Sequence, residues 1–139
     1  MVDRWAERNR DGLILLARLA LMLLFVLSGW GKLHDFQGTV GYMASLQAPL
    51  PQVAAAIAVA MEFVVAIALM LGIAVRPLAL LFVVFVLGTA LLGHAFWGMQ
   101  GAERAANLTQ FLKNVSIAGG LLLLVVTGAG GYVVGRGRR

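Results

Sequence analysis

Four long apolar stretches constrain what this chain can fold into. They occupy residues 13–31, 52–73, 77–97 and 109–128, and each reaches the roughly 20 residues that a helix needs to cross a bilayer. Helix is the expected conformation in lipid, because a helix satisfies its backbone hydrogen bonds within one segment. The sequence therefore predicts an all-α membrane protein, a four-transmembrane-helix bundle that forms a single domain over residues 1–139.

Composition agrees with this prediction and excludes several other classes. Of the 139 residues, 61% are hydrophobic and 12% are charged, whereas soluble domains carry about 25% charged residues. The chain has no cysteine, which rules out disulfides, thiolate metal ligands and a cysteine nucleophile. Its two histidines leave little for a metal centre, so we expect neither metal nor haem. These features argue against a soluble enzyme and against a secreted disulfide scaffold.

The basic residues predict how the chain sits in the membrane. They stand at the ends of the apolar stretches, so the net charge of +5 indicates contact with a lipid bilayer rather than with nucleic acid. Four spans place both termini on one side, which carries seven basic residues, Arg4, Arg8, Arg10, Arg76, Arg136, Arg138 and Arg139. The other side carries Lys32 and Arg104. The positive-inside rule then predicts cytoplasmic N- and C-termini.

The first outer loop contains a second helical pattern. Within residues 32–51, Phe36, Val40, Met43 and Leu46 are spaced by three and four residues. This spacing predicts a short interfacial helix that lies over the outer mouth of the bundle.

Polar side chains recur within the four spans or at their outer ends. A charged residue at the centre of a span costs about 2.5–3.5 kcal/mol on insertion scales, so such residues normally face the bundle interior. At 1.5 Å per residue, Glu62 is expected roughly 15 Å below the outer boundary and Arg18 roughly 21 Å below it, within reach of each other. The candidate site residues are Arg18, Lys32, Glu62, His94, Trp97, Gln110, Lys113 and Asn114.

These residues predict one interior polar pocket that opens to the outer side. Its expected walls are aromatic, from Phe25, Phe96, Trp97 and Phe111. Three basic residues, Arg18, Lys32 and Lys113, outnumber Glu62, and this positive surplus suits an anionic or carbonyl-bearing ligand such as a quinone. The pocket is therefore expected to bind a quinone, with Gln110, Asn114 and Trp97 among the residues that contact it.

Glu62 and Lys113 are the candidate catalytic residues. Lys113, Lys32 or Arg18 would donate a hydrogen bond to a quinone carbonyl and stabilise the negative charge that develops on reduction. Glu62 would carry protons, and His94 would supply a second proton-active group. Because the chain shows no flavin, iron–sulfur or thiol motif, the electrons must come from a soluble or peripheral redox partner.

Each candidate also has a structural interpretation, and other functions stay open. Arg18 and Glu62 could form an ion pair that only fixes helix packing, and Lys32 could reach towards the interface. The chain could instead be a transporter for a small aromatic or anionic solute, which would need a homo-oligomer. It could be a membrane anchor whose basic tail, residues 136–139, binds acidic lipid or a partner. Haem ligation by His34 and His94 is the weakest alternative.

Five short segments resemble one known family. They are Arg18 followed by the run 25–33, the stretch 42–51, Glu62 before Leu71-Gly72, His94-Ala-Phe-Trp97, and the run 111–120. In this order and spacing they resemble the DoxX family of small bacterial membrane proteins, over about residues 13–124.

The resemblance implies a four-helix fold in the bacterial inner membrane. The family is named for a subunit of a thiosulfate:quinone oxidoreductase, and other members are associated with resistance to quinones, catechols or oxidative stress. The resemblance therefore implies a quinone-linked redox role beside a soluble partner. A thiol relay would not fit this chain, because it lacks cysteine.

Overall fold

The computed structural model describes residues 1–135, and this part of the chain contains helices and no strand. The basic tail at residues 136–139, with three of the arginines used to predict orientation, lies outside the described residues. The described helices are α1 (Val2–Arg8), α2 (Arg10–His34), α3 (Phe36–Ser45), α4 (Pro51–Val59), a π-helical segment (Ala60–Val65), α5 (Ala66–Leu71), α6 (Val75–Gly93), a 3-10 turn (Phe96–Gly98) and α7 (Gly101–Thr127).

Four helical runs are long and apolar enough to cross a membrane, which confirms the predicted all-α fold with four spans. They are Arg10–His34, Pro51–Leu71, Val75–Gly98 and Gly101–Thr127. The second run combines α4, the π segment and α5 into one continuous span. It ends at Leu71 because Gly72 has a φ of +82°, a left-handed conformation that glycine adopts readily and that terminates a helix.

Local signals in the sequence explain where the helices around the first loop begin. Asp35 caps α3, since its carboxylate accepts a hydrogen bond from the Gly38 backbone N–H at 3.0 Å. Pro51 starts α4, where its missing N–H costs nothing because the first turn has no intrahelical acceptor for it. The loop between α3 and α4 is therefore short and closely defined.

The core runs along the middle of the bundle. Met22 of α2, Leu69 of α5, Phe82 of α6 and Leu121 of α7 are fully buried within it. α6 and α7 pack along each other, while α2 packs against the π segment and α5. Many other leucines and valines remain exposed on the outside of the spans, as expected for side chains that contact lipid.

α3 is the helix that the spacing in the first loop predicts. It packs against α4 and contributes the buried residues Thr39 and Met43. A Cβ on Gly93 of α6 would lie 3.7 Å from the Tyr42 hydroxyl, so α3 also reaches the end of α6. α3 therefore covers one end of the bundle, which we call the outer end. Its location at the membrane interface stays a prediction.

Candidate functional site

A cavity of about 550 Å³ lies near the outer end of the bundle, among α2, α3, α4 and α6. Most of its lining is apolar. Four predicted site residues line it, namely Lys32, Glu62, His94 and Asn114, and Tyr42 and Thr89 add hydroxyl groups. On their respective helices, Phe25, Glu62 and Phe85 are the lining residues farthest from the outer end. The cavity therefore has an aromatic floor with one carboxylate beside it.

Lys32 and Glu62 form an ion pair at the edge of this cavity. The Lys32 ammonium nitrogen (Nζ) lies 2.6 Å from Glu62 Oε2, and it also donates to Ser28 Oγ at 2.6 Å. The side chain of Glu62 is only 10% exposed and that of Lys32 is 24% exposed. Because little water reaches the pair, its electrostatic interaction is stronger than that of a surface ion pair. Each charge is compensated by the other, which makes both tolerable within a membrane span.

The π segment places Glu62 against α2. A π-helical turn is wider than an α-helical turn, and such segments are frequent at functional sites. A Cβ on Gly29 would lie 2.7 Å from the backbone of Glu62 and Phe63, closer than real Cβ atoms approach backbone. Only glycine therefore allows α2 to pack so closely at this point. Lys32, three residues after Gly29, lies one turn further along the same face and reaches Glu62.

His94 occupies the outer wall of the cavity, at the C-terminal end of α6. Its ring nitrogen Nδ1 lies 3.1 Å from Asn107 Oδ1. The amide nitrogen of Asn107 donates to the Glu103 carbonyl at 3.1 Å, so this amide presents its oxygen to His94. An amide oxygen only accepts, and Nδ1 therefore carries the hydrogen in this contact.

The structure does not bring Arg18 to Glu62, and this predicted contact is wrong. Arg18 is fully buried, and its guanidinium donates to the Tyr132 carbonyl at 2.6 Å. The same guanidinium contacts Gly72, at the end opposite the cavity. The depth estimate measured Glu62 from Gln52 and Arg18 from Lys32, and it failed because it assumed that Gln52 and Lys32 lie at the same depth in the membrane. Glu62 in fact packs beside Gly29, eleven residues or about 16 Å along α2 from Arg18.

Lys113 and Gln110 do not line the cavity either, although their neighbour Asn114 does. α7 packs on α6 through a face that includes the buried residue Ala118, and Asn114 lies four residues earlier on that face. Lys113 is displaced from Asn114 by about 100° around the helix. It is exposed, and its Nζ lies 3.5 Å from Oε1 of Gln110, which is exposed too. The cavity therefore includes Asn114 but neither Gln110 nor Lys113, although all three were predicted to belong to the pocket.

The predicted aromatic walls are correct only for Phe25. Trp97 is 60% exposed and stacks edge-on with Phe96 and Phe111, at centroid distances of 5.5 and 6.4 Å. The Arg104 guanidinium lies 5.5 Å from the centre of the Phe96 ring. These residues form a separate cluster where α6 connects to α7, because the 3-10 turn directs Phe96 and Trp97 towards α7 rather than into the cavity.

Comparison with known proteins decides the family. The family model for DoxX matches residues 13–95. The chain belongs to the DoxX family. It is 50% identical to the inner membrane protein YphA of Escherichia coli K12 over 127 residues, which are 91% of each chain. It is 35% identical to the inner membrane protein YqjF of the same organism over 133 residues, covering 94% of this chain and 95% of that one. No solved structure matches it.

These matches confirm the resemblance to DoxX and the predicted location. With four apolar spans and relatives named as inner membrane proteins, this DoxX protein is an integral inner membrane protein. The sequence matches to these relatives cover nearly the whole chain, including α7, which lies beyond the segment matched by the family model. The cytoplasmic location of both termini stays a prediction.

Three polar groups of this DoxX site were not foreseen from the sequence, namely those of Ser28, Tyr42 and Thr89. Ser28 had a usable signal, because it precedes Lys32 by four residues and so lies on the same helix face. Tyr42 and Thr89 had none, since their roles depend on how α3 crosses the bundle and how α6 separates from α4.

Proposed function

We propose that this DoxX protein binds a quinone in the outer cavity and acts as the membrane subunit of an oxidoreductase system or in quinone handling. The observation that carries the proposal is the Lys32–Glu62 ion pair, set into the wall of a mostly apolar cavity of about 550 Å³. Pockets of this size and lining are typical of small-molecule sites, in which a few polar groups orient a largely apolar ligand.

The pair supplies the two chemical groups that a quinone ring needs. The Lys32 ammonium is a hydrogen-bond donor that would contact a carbonyl oxygen of the ring and stabilise negative charge on it. Glu62, hydrogen-bonded to the same ammonium, would exchange protons with that oxygen. The proposal assigns this role to Lys32, because Lys113 and Arg18, the other two donors considered from the sequence, do not line the cavity.

Reduction of a quinone to its quinol takes up two electrons and two protons. Glu62 and His94, which both line the cavity, would each take up one proton from water and pass it to a quinone oxygen. The electrons would come from a reduced soluble or peripheral redox protein, because the sequence carries no flavin or iron–sulfur motif. Such a partner, and a homo-oligomer, remain part of the proposal.

Quinone titration of the purified protein in mild detergent tests this function. We expect a short-chain benzoquinone to bind with a one-to-one stoichiometry, measured by calorimetry. Lys32→Met should weaken binding about tenfold or more, because a hydrogen bond to a charged group contributes about 1.5–3 kcal/mol. Glu62→Gln should weaken it as well, by releasing the ammonium from its fixed position.

Lys113→Met is the matched control, since it makes the same substitution at an exposed residue of a span outside the cavity. It should bind the quinone as the unmodified protein does. Circular dichroism and thermal unfolding of all three variants separate lost binding from lost folding. Equal affinity in folded Lys32→Met, Glu62→Gln and unmodified protein would exclude the ion pair as the quinone site. Solute uptake by proteoliposomes containing the protein alone would instead favour transport.

A further inference from the structure

We infer that the cavity is entered sideways from the hydrocarbon region of the bilayer, through an opening between α4 and α6, and that its ligand is a lipid-soluble molecule with an apolar tail. The inference deepens the proposed function, because it concerns the route and the tail of the molecule whose ring would meet Lys32 and Glu62. The arrangement of the helices around the cavity carries it.

α4 and α6 separate towards the outer end. The π segment and α5 both pack against α6, whereas α4 makes no backbone contact with α6 within the described residues 1–135. The second and third spans therefore diverge beyond the π segment. The cavity fills the space that this divergence leaves, since both α4 and α6 contribute to its lining.

The outer end of this space is covered by protein. Met43 of α3 and Ala48 of the following loop are buried and line the cavity from that side. Tyr42 and Leu46 reach across to α6, within 3.7 and 4.0 Å of where a Cβ on Gly93 would lie. A molecule arriving from water outside the membrane would have to displace this cover.

The gap between α4 and α6 has an apolar rim. Val53 and Ile57 on α4, with Gly88 and Leu92 on α6, line the cavity and are exposed as well. We call these four residues the side opening. They lie within membrane-spanning helices, where exposed surface meets lipid chains rather than water. The space beside Gly88 is open, because a Cβ at this position would meet no atom within 4 Å.

The depth of the site matches a molecule that is held at one end and extends outwards. Ile57 precedes Glu62 by five residues, about 7 Å along the helix, and Val53 precedes it by nine, about 13 Å. A polar head at the ion pair would therefore have its apolar tail leave between these rim residues. None of the four rim residues offers a polar side chain to a small hydrophilic solute.

Spin labels at two neighbouring positions test the opening without any ligand. The chain has no cysteine, so Leu92→Cys and Leu91→Cys each give a protein with a single label. Leu92 lines the cavity, whereas Leu91 is exposed at nearly the same depth but does not line it. In lipid bilayers, we expect both labels to collide freely with molecular oxygen, which dissolves in lipid, and rarely with a water-soluble nickel chelate. A clearly higher nickel accessibility at Leu92 would mean a water-filled entrance and would overturn the inference.

A substitution in the side opening tests the tail. Gly88→Leu should reduce affinity for a long-chain quinone about tenfold, because it fills space that the tail would occupy. It should leave affinity for the same ring without a tail nearly unchanged. Gly119→Leu on α7 is the control, since its added Cβ also meets no atom within 4 Å and it does not line the cavity.

The two tests separate the inference from the proposed function. If the unmodified protein binds neither quinone, the proposed function fails, while the label pair still reports whether the opening faces lipid. If Gly88→Leu weakens the tailed and the tail-free ring equally, or neither of them, the tail does not leave through the side opening and the inference is wrong.

Discussion

Gly29→Ala is the substitution that most directly tests how α2 holds the site together. The added Cβ would lie 2.7 Å from the backbone carbon of Glu62 and the backbone nitrogen of Phe63, whereas ordinary contact begins at 3.4 Å. Because the obstructing atoms are backbone, no side-chain rotation relieves the overlap. α2 and the π segment would have to separate by about 0.7 Å, the difference between these two distances.

The expected cost follows from two opposing effects. Overpacking of a well-packed core destabilises proteins by typically about 1–3 kcal/mol. Replacing glycine by alanine within a helix favours the helix by up to about 1 kcal/mol. Gly31→Ala isolates this second effect, since Gly31 lies two residues further along α2 and its added Cβ meets no atom within 4 Å. The difference in unfolding free energy between the two variants should therefore be about 1–3 kcal/mol, with Gly29→Ala the less stable.

Equilibrium unfolding in mixed micelles titrated with SDS measures this difference, with circular dichroism as the readout. Gly29→Ala should also weaken quinone binding, because the shift moves Glu62 away from Lys32 and lengthens a 2.6 Å contact. Gly31→Ala should bind normally. If both variants unfold at the same SDS fraction and bind the quinone equally, the close approach at Gly29 does not position the ion pair, and the reasoning is refuted.

Three further outcomes follow from other contacts. Removing one member of the Lys32–Glu62 pair should lower the unfolding free energy by up to about 3–5 kcal/mol. The double variant Lys32→Met/Glu62→Gln should lower it by less than the sum of the two single variants, and a double-mutant cycle measures this difference. Arg18→Met should leave the bundle nearly as stable, because two buried nitrogens of the Arg18 guanidinium group have no hydrogen-bond partner among the described residues. It should expose residues 128–135 to protease, because Arg18 hydrogen-bonds this segment. Slow proteolysis equal to that of the unmodified protein would contradict this. Asp35→Ala should cost about 1 kcal/mol and speed hydrogen exchange at the start of α3, and unchanged exchange would speak against the cap.

The sequence was sufficient for the fold because lipid leaves few alternatives. An apolar stretch of about 20 residues in a bilayer must form a helix, so hydropathy alone locates the four spans. α3 was predictable for a similar reason, since Phe36, Val40 and Met43 repeat at helical spacing and Asp35 supplies a cap. Both features depend on local periodicity, which a single sequence displays directly.

The site was only partly predictable, because it depends on how the helices are aligned and rotated. Glu62 and Lys32 were correctly assigned to one pocket, but the depth estimate placed Glu62 roughly 15 Å below the outer boundary and paired it with Arg18 instead of Lys32. The error arose because hydropathy fixes a span only to within a few residues. Lys113 and Asn114 are adjacent in sequence, yet only Asn114 lines the cavity, because the packing of α7 on α6 sets its rotation. A single sequence does not show this rotation when polar residues occur on two sides of the helix.

The π segment had no sequence signal, although it matters most for the site. Residues 60–65 contain neither glycine nor proline, so nothing in their composition predicts a departure from the α-helix. The segment coincides with the contact at Gly29, with the ion pair of Glu62, and with the point beyond which α4 separates from α6. A wider turn costs helix stability, and proteins tend to keep such local irregularities where function requires them. The coincidence of all three features at Glu62 is therefore the strongest physical reason to place the function of this chain in the outer cavity.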